Sequence, residues 1–276
     1  MIGRRAVLAG AAVGGVAAAL WAARELSDPV GEFLDESGDA PVTAPDPTAV
    51  APTTLPIHRE LAGATLVYEI SGDPTPLRIE EVFARRLEDS LRSHWQAAGW
   101  GAPATLTSYG TWIDTDGPAD SWHHAGRAFD VGRVVSASGD EVVSCRYDRW
   151  GDAPAAARRA EESAYWRLAA TLHRDFEYVL TYLYDEAHHN HIHVDDGRSR
   201  GERSAFRRGS RVQVQAVQAM CRHVWGLDVD VTDRWDDATR AATEGVLDRL
   251  GVGGRLTGDE QWHAFLTATA RGGPPV

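Results

Sequence analysis

The stretch Ala128-Phe-Asp-Val-Gly-Arg-Val-Val-Ser-Ala-Ser-Gly-Asp-Glu-Val-Val-Ser-Cys145 decides the fold class. Ala128–Val135 has strand character, Ser136–Asp140 is a turn rich in Ser and Gly, and Glu141–Cys145 reads as the returning strand, so the stretch predicts a hairpin. Upstream, Thr105–Tyr109 is a further strand. Before it, Ile79–Ala98 reads as an amphipathic helix, with Val82, Phe83, Leu87, Leu91 and Trp95 at helical spacing and Gly99 placed to cap it. Downstream, Ala153–Phe176 is Ala-rich and helical, Tyr178–Tyr184 is an apolar, aromatic strand, and His191–Val194 is short and β-like. Helices mixed with a hairpin predict an α+β fold: a small antiparallel sheet with flanking helices. Ser210–Ala270 carries three apolar stripes, namely Val214/Val217/Met220/Cys221/Val224, Ala238/Ala242/Val246/Leu250 and Trp262/Phe265/Leu266, which predict a small three-helix unit.

The ends of the 276-residue chain read differently. Arg4 and Arg5 precede Ala6–Ala23, a run without charge and rich in Ala, Val and Gly, which fits a signal peptide or a membrane anchor at residues 1–26. The excess of Arg before the run keeps the N-terminus cytoplasmic and the rest outside. Residues 27–56 hold six of the 13 prolines and six acidic residues with no basic one, the composition of a disordered linker. The expected division continues as a catalytic domain at 57–198, a linker at 199–209 and the helical unit at 210–270.

A net charge of -12 argues against a nucleic-acid partner, because phosphates need a cationic surface. All basic residues are Arg, and a single Asn, Asn190, is present; both fit a GC-rich coding sequence, and the lack of Lys excludes Lys-dependent chemistries. The two cysteines, Cys145 and Cys221, exclude a Cys-rich zinc finger and allow one disulfide or two separate thiols.

Six of the 11 histidines fall in two clusters: His123 and His124 in Ser121-Trp-His-His-Ala-Gly-Arg-Ala-Phe-Asp130, then His188, His189, His191 and His193 in the run to Asp195. A catalytic zinc takes three protein ligands and keeps one position open. With Asp130 early in a strand and His123 in the loop before it, both side chains can reach one ion. His191 and His193 are two apart, so on a strand they share a face. One can bind the metal while the other stands beside the open position as a base or anion support.

These residues resemble the zinc peptidase family that joins lysostaphin, the D-Ala-D-Ala carboxypeptidases and the hedgehog signalling domain, and within it the bacterial extensin-like C-terminal domain. Ser121, His123, Gly126, Ala128 and Asp130 match Ser-x-His-x-x-Gly-x-Ala-x-Asp, and Ala187 to Asp195 resembles Ala-His-x-x-His-x-His-x-Asp. The resemblance spans about Ile79 to Asp196. It implies a hedgehog / D-Ala-D-Ala peptidase-like fold, Zn2+ held by His123, Asp130 and His193, and His191 as the catalytic base or transition-state support. It also implies that Ser121 contacts substrate, and that the substrate is the stem peptide of peptidoglycan. Arg127, close to the motif, is a candidate for binding a substrate carboxylate, and Tyr109, Trp112 and Trp122 are candidates for lining a groove. Some members place a Glu base where this chain has His-x-His, so the His-type branch is the nearer analogue. His188 matches a family position and is expected to support the ligands. His124 and His189 are left open, and the other five histidines receive no role. The unit at 210–270 weakly resembles a peptidoglycan-binding module, with a structural cap as the other reading.

The function expected is therefore an exported, cell-envelope zinc metallopeptidase acting as a carboxypeptidase or endopeptidase in cell-wall remodelling. The alternative is a non-catalytic zinc-containing wall-binding module. A His-Asn-His nuclease, suggested by His189-Asn190-His191, is opposed by the acidic charge and the lack of a basic stripe.

Overall fold

The structure, a computed structural model, describes residues 47–101, 103–114, 121–197 and 203–273. The expected signal or anchor segment lies outside them. No helix among the described residues is long and apolar enough to cross a membrane.

The strands are β1 (Ile57–His58), β2 (Glu60–Leu61), β3 (Ala64–Tyr68), β4 (Leu77–Arg78), β5 (Thr105–Gly110), β6 (Ala128–Val135), β7 (Glu141–Ser144), β8 (Tyr178–Leu180) and β9 (Ile192–Asp195). Among the described residues the α-helices are α1 (Glu81–Ala98), α2 (Tyr147–Trp150), α3 (Ala155–Asp175), α4 (Arg211–His223), α5 (Asp237–Arg249) and α6 (Asp259–Ala270). The fold is α+β. The sheet is larger than expected and mixed: seven strands run in the order β2-β3-β5-β6-β9-β8, with β7 also on β6. The pairing of β3 with β5 is parallel, which corrects the expectation of a wholly antiparallel sheet. The cause is α1, which follows β3 and returns the chain to the start of β5, the crossover that parallel neighbours require.

Strand β6 organises the sheet. One edge pairs with β5; the other pairs with β9 over Ala128–Val131 and with β7 over Arg133–Val135. Its first five residues are all buried, as expected of a strand covered on both faces. Helix α1 buries Phe83, Leu87, Leu91 and Trp95 and ends at Gly99, whose φ of 73° is left-handed. Val82 falls outside this stripe and is exposed.

Helix α3 lies between the sheet and the C-terminal helices, packing against α1, α4 and α6. Arg167 Nε donates to Ala270 O, and Gln215 Nε2 to Leu183 O. Of the expected second linker, residues 199–202 are outside the described set. Ser204 and Phe206 are buried, Ser204 accepting from Trp262 Nε1 and Phe206 stacking on Trp235 and Trp262. On α5 Val246 is buried and Ala242 and Leu250 pack against the core as expected, but Ala238 is exposed, and Thr239, Thr243 and Leu247 also face inward. The threonines tolerate burial because Thr239 Oγ1 accepts from Gln218 Nε2 and donates to Asp236, while Thr243 Oγ1 donates to Thr239 O. Cys145 and Cys221 are buried and unbridged.

Residues 47–56, expected within the disordered linker, form an ordered strap. Val50 N donates to His124 O, and Trp112 Nε1 donates to Val50 O. Arg78 donates to the carbonyls of Pro52 and Leu55. Leu55, one of the few large apolar residues of that segment, is buried against Gly126, and its burial anchors the strap.

Candidate metal centre

His123 sits on a one-turn 3-10 helix, Trp122–Ala125, that leads into β6. Gly126 closes the turn with a φ of 66°, and a Cβ there would fall 2.6 Å from Leu55 Cδ1, so glycine is required twice over. Asp130 is the third residue of β6. Across the antiparallel pair its register partner is His193 on β9, while Gly110 of β5 stands opposite on the other side. Cross-strand partners share a face, which brings the carboxylate and the imidazole together.

Three ligand atoms converge. His123 Nε2 lies 3.2 Å from His193 Nδ1 and 3.3 Å from Asp130 Oδ1, and His193 Nδ1 lies 3.0 Å from Asp130 Oδ1. All three side chains are buried. Donors at the ordinary distance from a tetrahedral zinc are about 3.3 Å apart, so the group could hold a metal ion without rearrangement. Burial opposes ionisation of Asp130, yet the surrounding imidazoles, His123 foremost, hold its carboxyl well below the usual range. His193 is also opposed by burial, but contacts with Asp130 and Asp195 raise it to about 10. A cation bound by the group would take the place of a proton on His193 Nδ1.

His191 lies beside this group, its Nε2 3.5 Å from Asp130 Oδ1. Burial drives its pKa down to about 3 against the pull of Asp130, so it is a neutral imidazole near neutral pH. Its Nδ1 is 2.6 Å from Asn190 Oδ1, which accepts the Nδ1 proton and leaves Nε2 as the basic nitrogen. In the sequence Asn190 stands out as the single Asn and as the centre of His189-Asn190-His191, and neither reading gives it this part. His188 is buried, with Nδ1 2.6 Å from Asp185 Oδ1 and its ring 5.1 Å from that of His191. His124 is buried and its Nδ1 meets Ile113 O; the ring of His189 packs on Tyr147.

The remaining sequence candidates surround the group at different removes. Ser121 directly precedes the turn that carries His123. Arg127 stacks over Trp122, and its Nε donates to Asp196 Oδ1 at 2.8 Å. Trp112 ties down the strap. The ring of Tyr109 lies 5.8 Å from that of His191, and behind it the guanidinium of Arg146 approaches the Tyr109 ring to 5.7 Å. Arg146 in turn belongs to a cluster on fully buried Glu69, together with Arg133. Asp195, which the sequence reading quoted in its motif without giving it a role, lies with Oδ2 3.2 Å from His193 Nε2.

Comparison with known proteins yields no assignment: no family model matches the chain, and neither does a curated protein or a solved structure.

Proposed function

We propose that the protein is a zinc-dependent peptidase that cleaves peptide bonds in peptidoglycan stem peptides, as a carboxypeptidase or endopeptidase, during cell-wall remodelling. The observation that carries this reading is the His191 imidazole, whose Nε2 stands 3.5 Å from the carboxylate of a buried His123–Asp130–His193 group. A purely structural ion needs the group and has no use for the neighbour. The motif resemblance to the lysostaphin, D-Ala-D-Ala carboxypeptidase and hedgehog family supports the choice of zinc, of a hedgehog / D-Ala-D-Ala peptidase-like fold and of substrate class.

His123, Asp130 and His193 would hold the ion. When bound, zinc supplies a Lewis acid for the peptide carbonyl and lowers the pKa of a water to about 7. His191 would take a proton from the attacking water at Nε2 and return it to the leaving amine. Asn190 keeps the imidazole in the tautomer that this requires. Protonated, His191 gains the nearby Asp130 charge, which stabilises the charge-separated stage of the reaction. Ser121, beside the His123 turn, is the candidate for substrate contact. Arg127, engaged by Asp196 and Trp122, is assigned to holding that turn. The segment 1–26 would export or anchor the chain, placing the domain in the extracytoplasmic cell envelope, and the helices of 210–270 would deliver it to the wall.

The test is incubation of the full chain with muropeptides, with and without a chelator, followed by product masses. Chelator-sensitive cleavage is expected, and the masses distinguish loss of a terminal residue from internal scission. A protein that holds zinc stoichiometrically yet yields no product would instead be a wall-binding module.

A further inference from the structure

We propose that Asp195 is a positioning residue that sets the tautomer of His193, so that Nδ1 and not Nε2 is the nitrogen free to bind a cation. The proposal rests on the reading of His123, Asp130 and His193 as a metal site.

His193 and Asp195 are two apart on β9 and project from one face. The two ring nitrogens of His193 meet different carboxylates. Nδ1 faces Asp130 and His123, at 3.0 and 3.2 Å, while Nε2 faces Asp195 Oδ2 at 3.2 Å. A neutral imidazole has one N–H to donate, and a carboxylate only accepts. Once a cation holds Nδ1, the one proton left on the ring is accepted from Nε2 by Asp195, which keeps the lone pair of Nδ1 toward the other two ligands. The result is the opposite of that at His191, where Asn190 holds the proton on Nδ1. Two histidines separated by one residue are thus given opposite tautomers by their flanking side chains, one suited to coordination and the other to proton transfer.

Asp195 is itself held. Its Oδ1 accepts from Gly197 N at 2.9 Å. Gly197 lies under the indole of Trp122, where a Cβ would fall 2.1 Å from Trp122 Nε1. Trp122 immediately precedes His123 in the chain. Contacts therefore run without a break from one imidazole ligand, through Trp122, Gly197 and Asp195, to the other.

The backbone contact makes a sharp test. In Asp195→Asn the shape is unchanged, but Gly197 N–H claims the position of the amide oxygen, which leaves the NH2 facing His193 Nε2. That nitrogen must then accept, the proton moves to Nδ1, and the lone pair needed for a cation is lost. Asp195→Ala imposes no such tautomer. In the full chain, zinc affinity measured by competition with a chromogenic chelator should fall about 100-fold in Asp195→Asn and about 10-fold in Asp195→Ala. The visible spectrum of the Co2+-loaded protein should change in the same order. Thermal unfolding of the metal-free variants reports whether each is folded. A merely structural Asp195 gives the reverse order, with the Ala variant worse, and that outcome overturns the proposal, as does an affinity unchanged in both variants. A wild-type protein that binds neither zinc nor cobalt overturns the metal reading first and this inference with it.

Discussion

Asp130 on β6 and His193 on β9 face each other directly across an antiparallel pairing, with carboxylate oxygen and ring nitrogen 3.0 Å apart. Sheet register holds this contact. His123, Asp130 or His193 changed to Ala should each abolish stoichiometric zinc, read by elemental analysis of the purified protein. His191→Ala should keep the zinc and lose hydrolysis. If it loses the metal while His193→Ala retains it, ligand and base are exchanged.

Metal uptake should release a proton. His193 is raised to about 10 in the metal-free protein, so near neutral pH the cation competes with a proton on that ring. Affinity should rise with pH across the range from neutral to about 10 and level off above it. Calorimetric titration in buffers of differing ionisation enthalpy reads the proton count, and a count of zero contradicts the assignment of His193.

Asn190→Ala removes the acceptor for the Nδ1 proton of His191 and leaves the three ligands untouched. Peptidase kcat should drop about 10-fold or more, with zinc content and KM little changed. Asn190→Asp, which still accepts, should recover most of the loss. Equal rates in the wild type and the Ala variant would leave Asn190 without a part in the reaction.

Glu69 is fully buried and receives hydrogen bonds from Arg133 at 2.9 Å and Arg146 at 2.8 Å. Glu69→Ala leaves two partly buried guanidinium groups short of their shared counter-charge and should cost about 3 kcal/mol in urea unfolding. Because Arg146 backs Tyr109 and Tyr109 backs His191, activity should fall alongside. A loss below about 1 kcal/mol would show that Glu141 and Asp148, which also pair with these arginines, suffice alone.

His173 is wholly buried, and neither ring nitrogen has a hydrogen-bond partner among the described residues. Burial lowers its pKa from 6.5 to about 3. Above about pH 6.5 folded and unfolded chains bind the same number of protons here. As pH falls from there toward 3, only the unfolded chain takes one up, so stability declines by about 1.4 kcal/mol per pH unit from this ring. His94, lowered to about 3 by burial first and the charges of Arg167 and Arg174 next, adds a second such contribution. His173→Leu should be near neutral in stability at pH 7 and should visibly flatten the acid slope in denaturant titrations at stepped pH. An unchanged slope would show that the acid sensitivity lies elsewhere.

The sequence revealed what local signals encode. The β6–β7 hairpin is marked by apolar runs around Ser136–Asp140, and helix α1 by its spacing and by Gly99. Convergence of His123, Asp130 and His193 follows from a turn entering one strand and alternation along another. The parallel β3–β5 pair was not legible, because its partners are brought together by an intervening helix and nothing in Ala64–Tyr68 names its neighbour. Burial of Thr239 and Thr243 carries no apolar signal in the sequence: Thr239 relies on Gln218 and Asp236 as partners, and Thr243 on the Thr239 carbonyl. The parts of Asn190 and Asp195 depend on which ring nitrogen faces which oxygen, a matter of rotamer and register that residue spacing does not carry.

The strap has a mechanical consequence. Tension applied to the chain on the N-terminal side of Val50 is delivered at the Val50–His124 hydrogen bond, at a carbonyl one residue from His123. Trp112 on the Val50 carbonyl and Arg78 on the Pro52 carbonyl come next, and Leu55 beneath Gly126 braces the far end of the same turn. Load on that segment therefore reaches the turn that carries His123 through two of its contacts, the Val50–His124 hydrogen bond and the packing of Leu55 on Gly126.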